Sequence, residues 1–215
     1  MKKNFVEEME KEVVRVKEYI PPIAILITAD AGAGKFELAR KLSRELSIYL
    51  LSNDYVRNYY YQLADDTSEK TRLDIQDKVK EINNERLKFL ISHRISFVYD
   101  YNVNNMDCYE EIHKKLHNNS FKKIKIRIHS NDNYNIKAIR DRKLDYVRKD
   151  ESVIGDNAFY VSNFSEEVYW QIKQRKEITL DDSWFDYVIH RTDDEEQFMK
   201  DIDQILEKIT KLMED

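Results

Sequence analysis

The stretch Ile23–Leu46, IAILITADAGAGKFELARKLSREL, decides how the rest of the chain is read. Ile23, Ala24, Ile25, Leu26 and Ile27 run without a polar break, the pattern of a strand covered on both faces. Leu38, Leu42 and Leu46 then recur every four residues, so strand gives way to amphipathic helix across Ala29 to Lys35. Within that turn Ala29, Asp30, Ala31, Gly32, Ala33, Gly34, Lys35 and Phe36 fill the frame of the phosphate-binding pattern G-x-x-x-x-G-K-[ST]. Gly32 and Gly34 let the backbone curl so that amides and a helix N-terminus face an anion, and Lys35 reaches the outer phosphates. Two of the chain's three glycines lie here, and we read the turn as a phosphate-binding loop. Two positions depart from the pattern. Ala29 replaces the first glycine, and Phe36 replaces the hydroxyl residue that ligates Mg²⁺, a role closed to a phenyl ring.

The 215 residues suit one domain of ordinary size, with a leading helix over 1–22 packed on a main domain over 23–215. A charged content of 36% and a net charge of −5 give no global pull towards nucleic acid or an anionic membrane. Cys108 is the single cysteine, which excludes an internal disulfide and points to a reducing, cytoplasmic setting. The first twenty residues alternate charged with apolar side chains, unlike a signal peptide or a membrane span.

Ahead of the loop, Phe5, Met9, Val13, Val16 and Ile20 predict one helical stripe ending at Pro21-Pro22. After it, the face that Phe36 shares with Arg40, Ser43 and Ser47 is otherwise polar and lies away from the leucine stripe. A second strand over 48–51 leads into Ser52-Asn53-Asp54-Tyr55-Val56-Arg57. Strand, degenerate loop, helix, second strand and S-x-D-x-V-R together resemble the P-loop kinase superfamily, in particular small-molecule and polynucleotide kinases with a zeta-toxin-like or adenylate-kinase-like layout. The resemblance implies that Asp54 is the base on the acceptor side and that Arg57 binds the acceptor. Phosphoryl transfer needs such a carboxylate and such a cation. Read from the residues alone, Ser52, Asn53 or Asp54 caps a helix and Arg57 is solvated. Tyr55, Tyr59, Tyr60 and Tyr61 are read chiefly as helix packing, with stacking on an aromatic acceptor as the other use.

Asp66 with Glu69 predicts a cap before a long helix to about Ser92, with Ile75, Val79, Ile82 and Phe89 on one side and its charges on a solvated face. A third strand over 95–99 ends at Asp100, placed to hold Mg²⁺ through water; the alternative is a strand-end acid in solvent. A helix from Met106 to about Leu116 follows. KIKIRIH over 123–129 alternates strictly, against the expectation for a central parallel strand, and implies either one poorly covered face or a fold that departs from the expected one. A basic helix over 136–149 opens a lid segment spanning about 136–160, and resemblance places the lid arginine at Arg140 or Arg142. Gly155 is read as a hinge, and Phe164, Val168 and Ile172 as lining a helix. A fifth strand over 184–190 is followed by Thr192 with Glu195 as a capping box for a helix lined by Phe198, Ile202, Ile205 and Ile209. By resemblance His190, Arg191 and Thr192 border the adenine.

The alternation of strands and helices predicts a three-layer α/β P-loop NTPase fold, its five-stranded, mainly parallel sheet ordered 2-3-1-4-5 as the family implies. The implied function is γ-phosphoryl transfer from ATP, with Mg²⁺, to a hydroxyl acceptor, a small molecule in preference to nucleic acid. The loop Asp30, Ala31, Gly32, Ala33, Gly34, Lys35 and Phe36, with Thr192, would hold the nucleotide, Asp100 the metal, and Lys35, Asp54, Arg57, Arg140 and Arg142 the reaction. Phe36 sustains a competing reading, a catalytically impaired nucleotide-binding protein with a regulatory or partner-binding role. Loss of a metal ligand is comparable to loss of one electrostatic stabiliser, about 3 kcal/mol. Oligomeric state is left open.

Overall fold

In the computed structural model, the described residues are 4–64, 68–101, 106–141, 152–156, 166–174 and 181–214. Five strands, β1 (Ile23–Ala29), β2 (Tyr49–Leu51), β3 (Phe97–Tyr99), β4 (Lys122–Ser130) and β5 (Tyr187–Arg191), form one sheet in the order β2-β3-β1-β4-β5. Every pairing is parallel, with β1 central: Leu26 stands opposite Tyr99 on one side and Lys125 on the other. Parallel neighbours need crossover helices, and these make the outer layers.

One face carries Ile23, Ile25 and Ile27 of β1 with Ile124, Ile126 and Ile128 of β4, in one cluster with α2 (Lys35–Leu46) and α8 (Glu195–Glu214). Phe198, Ile202, Ile205 and Ile209 of α8 are all buried there, as their spacing predicts. The other face, Ala24, Leu26, Leu51, Phe97 and Tyr99, is covered by α1 (Phe5–Glu12), α4 (Glu69–Ser92) and α5 (Met106–Asn118). β1 is buried on both faces, which accounts for its unbroken apolar run. Of the two explanations for the alternation in β4, the poorly covered face holds: Ile124, Ile126 and Ile128 are buried while Lys123, Lys125, Arg127 and His129 are only half covered.

Several sequence expectations are corrected. α1 stops at Glu12, passes through a 3₁₀ turn over Val13–Arg15, and leaves Ile20 exposed. The chain from Val16 onward is held otherwise: the Lys17 amide donates to Ser47 O, and Tyr19 Oη to Leu46 O at 2.8 Å. The cap of α4 is Ser68, whose hydroxyl accepts from the Thr71 amide; Asp66 lies outside the described residues. The cap of α8 is Asp194, which accepts from the Gln197 amide at 2.9 Å, while Thr192 accepts from Asp194 in the preceding turn. Trp184 ends a 3₁₀ turn rather than opening β5. Gly155, read as a hinge, lies against the sheet edge: its φ is +100°, it bridges Leu50 of β2, and an added Cβ would lie 2.9 Å from Tyr49 Cζ and closer still to Leu50 O. α3 (Asn53–Leu63) packs by its tyrosines, with Phe5 meeting Tyr59 edge-on at 5.3 Å. Among the described residues no helix is long and apolar enough to cross a membrane.

Candidate active site

β1 delivers the chain at Ala29 into a loop whose two glycines both have left-handed backbones, φ +89° at Gly32 and +90° at Gly34. α6 (Asp132–Asp141) packs directly on the loop, and a Cβ at Gly32 would lie 2.6 Å from Asn135 O. Among the described residues the amides of Gly32 and Gly34 donate to no acceptor. They lie at the N-terminus of α2, where the helix dipole adds positive potential, so the loop fits a phosphate. Lys35 is the first residue of that helix. Phe36 is 7% exposed and belongs to the same apolar cluster as Leu38, Leu42 and Val153. Its face of α2 is therefore not the polar one its neighbours imply. Ser43 is also fully buried and donates to Ile48 O at 2.7 Å, because the chain near Val153 and Ile154 covers that side.

Asp100 follows β3 and is 3% exposed, which removes the solvent-exposed alternative. Its Oδ2 accepts from Ser52 Oγ at 2.7 Å and its Oδ1 from the Asn53 amide at 3.2 Å. Burial pushes its carboxyl up to about 6, against the opposing pull of the Lys35 charge, the Ser52 and Asn53 bonds, and Arg57. Lys35 and Arg57 thus share the surroundings of this carboxylate. Ser52 is the N-cap of α3 and accepts from the Asp54 amide at 3.2 Å, so capping falls to Ser52. The carboxylate of Asp54 instead pairs with Arg57 one turn on, both partly exposed.

Beneath this lies a network that the sequence reading missed. Arg86 of α4 and Asp156 are each 1% exposed and form a two-point ion pair at 2.5 and 2.9 Å. Asp156 Oδ2 also accepts from the Ser52 amide at 2.7 Å. Arg86 donates further to Tyr49 Oη and Asn83 Oδ1, and Asn83 Nδ2 donates to Asn53 Oδ1 at 2.7 Å. Burial alone lowers the guanidinium's pKa, but Asp156 and Tyr49 more than offset this and keep Arg86 above its ordinary value. Burial also pushes the Asp156 carboxyl up, so Arg86 is what supports its ionised form.

On the far side of the loop, Asn135 accepts from Ser130 Oγ and donates to Tyr169 Oη of α7 (Glu166–Gln174). Tyr169 in turn donates to Asp132 at 2.6 Å, and Lys173 pairs with the same carboxylate. Tyr169 is the buried residue of α7; Phe164 and the side chain of Ile172 fall outside the described residues. Arg140 is 63% exposed and pairs with Glu166 rather than with any loop residue described. α6 begins at Asp132, four residues before the predicted start, and Arg142 lies outside the described residues. Thr192 is exposed. Its neighbour Arg191 is buried, with its guanidinium 3.6 Å from the Phe198 ring centroid and bonded to Tyr134 and Glu195.

Among the described residues no three His, Cys, Asp or Glu converge as a metal cage. Mg²⁺ at a nucleotide needs none, since one or two carboxylates suffice beside phosphate oxygens and water. Asp100 is a hard oxygen donor of the right kind, and Phe36 contributes none. The family model for Zeta toxin matches residues 7–180, most of the chain, including the loop, Asp54, Arg57, Arg86, Asp100 and Asp156. The chain belongs to the Zeta toxin family. Solved structures agree on the fold of this Zeta toxin family member. A candidate kinase from Chloroflexus aurantiacus superposes with a TM-score of 0.64 at 16% identity, covering 89% of this chain and 98% of the other. A structure from the PezAT chromosomal toxin–antitoxin system of Streptococcus pneumoniae gives 0.56 at 18%, covering 65% and 61%. The APS kinase CysC of Mycobacterium tuberculosis gives 0.50 at 11%, covering 91% and 99%. No curated protein sequence matches the chain. Family and fold make this a kinase-like, nucleotide-binding protein with the P-loop kinase architecture.

Proposed function

We propose that this protein binds ATP with Mg²⁺ and transfers the γ-phosphoryl group to a hydroxyl of a small molecule. The observation that carries the reading is the convergence on one end of β1 and β3 of the Gly32 and Gly34 amides, Lys35, and a buried carboxylate with Arg57 beside it. Lys35 and the amides of Gly32 and Gly34 hold phosphate, with Asp30, Ala31 and Ala33 shaping the loop around it. Phe36 serves only to anchor the helix start. Asp100 offers the metal an oxygen. Arg57 fixes the acceptor, and Asp54 takes the hydroxyl proton as the acceptor oxygen bonds to the γ-phosphorus and the bond to the β-phosphate oxygen breaks, releasing ADP. Arg140, with Arg142, supplies a lid charge once released from Glu166, and Thr192 borders the base.

The test is incubation with γ-labelled ATP and Mg²⁺ over panels of nucleotide sugars, antibiotics, small metabolites and 5′-hydroxyl oligonucleotides. The expected result is label on a small molecule, lost in Lys35→Ala and Asp54→Asn. Label on the oligonucleotides alone would refute the acceptor class. ATP binding without transfer to any acceptor would favour a second reading, which the buried phenyl ring at position 36 supports. In that reading the protein is a nucleotide-binding pseudo-enzyme with a regulatory or partner-binding role; one similar structure comes from a toxin–antitoxin system.

A further inference from the structure

Arg86 and Asp156 take no part in the roles above, yet they form the most deeply buried ion pair among the described residues. A buried pair of charges gains little over apolar residues of the same volume, so stability alone is a poor reason for it. Its bonds lead elsewhere. From Asp156, one route passes through the Ser52 amide, and Ser52 Oγ then donates to Asp100 Oδ2. From Arg86, a second passes through Asn83 to Asn53, whose amide donates to Asp100 Oδ1. Both oxygens of Asp100 are therefore oriented from the same ion pair, by separate hydrogen-bond routes. Tyr99 Oη also donates to Asn53 Oδ1 at 3.0 Å and closes the second route against β3.

We infer that Arg86 and Asp156 are positioning residues, which through Ser52 and Asn53 fix the orientation of the Asp100 carboxylate and so set how strongly Mg²⁺ tightens ATP binding. The inference rests on the proposal that Asp100 serves the metal. Outer partners of metal-binding carboxylates typically change metal affinity by about 10–100-fold when removed. Asp156 adds a topological consequence, because the segment carrying it, residues 152–156, lies along the edge of β2 through Leu50. A distant part of the chain thereby becomes part of the support of the site.

The experiment is calorimetric titration of the full chain with ATP, with and without Mg²⁺, reading the ratio of the two dissociation constants. Asp156→Asn disturbs the pair directly. Arg86→Met combined with Asp156→Leu replaces it by apolar residues and so keeps the fold while cutting both routes. Ser52→Ala leaves the pair in place and cuts only the first route, and Asp100→Ala is the control. The expected result is loss of the Mg²⁺ effect in Asp100→Ala, a fall of about tenfold or more in the ratio for the apolar double variant and a smaller fall for Ser52→Ala. Metal-free ATP binding stays near the unsubstituted value in Ser52→Ala and in the apolar double variant. An unchanged ratio in the double variant and Ser52→Ala, with Asp100→Ala defective, overturns the inference and leaves the metal assignment standing. A Mg²⁺ effect that survives Asp100→Ala overturns the assignment and the inference together. An equal loss of metal-free binding in these variants would mark general damage to the loop and also overturn it. If Asp156→Asn fails to fold, Ser52→Ala and the double variant decide.

Discussion

Replacing Asp100 by asparagine separates the cost of a buried charge from its use. Burial raises the Asp100 pKa from 3.8 to about 6, and a pKa change of one corresponds to about 1.4 kcal/mol. The folded protein thus binds this proton more tightly than the unfolded chain does. The associated stability is fully present below pH 4, falls as pH rises through 6, and is lost above it, by about 3 kcal/mol in all. Asparagine never ionises and escapes that loss. It can accept from Ser52 or from Asn53 but serves the two less well, an offset of about 1 kcal/mol. In metal-free buffer Asp100→Asn is therefore expected to be more stable by about 2 kcal/mol at pH 7.5, with the gain shrinking through pH 6 and gone by pH 4. Urea unfolding followed by circular dichroism at several pH values measures it. A difference that does not vary with pH, or a variant weaker at pH 7.5, would refute the claim that ionised Asp100 is held against the stability of the fold.

Three further outcomes follow from the geometry. Arg86→Ala leaves Asp156 buried without its cation and should lower stability by about 3–5 kcal/mol in denaturant unfolding, with the apolar double variant recovering most of it. Gly155→Ala forces a Cβ against Leu50 O and Tyr49 in a left-handed backbone, and thermal unfolding should show a loss of at least about 1–3 kcal/mol. Phe36→Ser empties a buried aromatic position and should cost about 3 kcal/mol of stability. It also restores the absent hydroxyl, so Mg²⁺ should strengthen ATP binding more in the variant than in the native chain.

The strand, loop and helix over 23–46 were legible because the apolar period changes there from unbroken to four, and the sheet order followed from the family resemblance. What escaped the sequence were contacts across long separations. Asp156 meets Ser52 across 104 residues and Arg86 across 70, and no local pattern reports such a pairing. Arg86 itself was within reach. It lies seven residues, two helical turns, after Val79, and with Arg72 and Asn83 it shares the buried face of α4 with Ile75 and Leu90. Reading only the apolar members of that face assigned the charges to solvent. Phe36 was misplaced for a related reason: one helix stripe marks one buried face, and α2 is covered on two sides, by the sheet and by the chain at 153–154. The run before Asp100 announced a strand end, but its hydrogen-bond partners, Ser52 and Asn53, come from the cap and first residue of α3.

The most direct test of the account is calorimetric titration of the purified protein with ATP, with and without Mg²⁺, beside Lys35→Ala. The account predicts binding that Mg²⁺ strengthens and that the Lys35→Ala protein, still folded, loses by tenfold or more, about 1.4 kcal/mol. Binding indifferent to Lys35, or no binding to the native chain at all, would contradict a working phosphate loop.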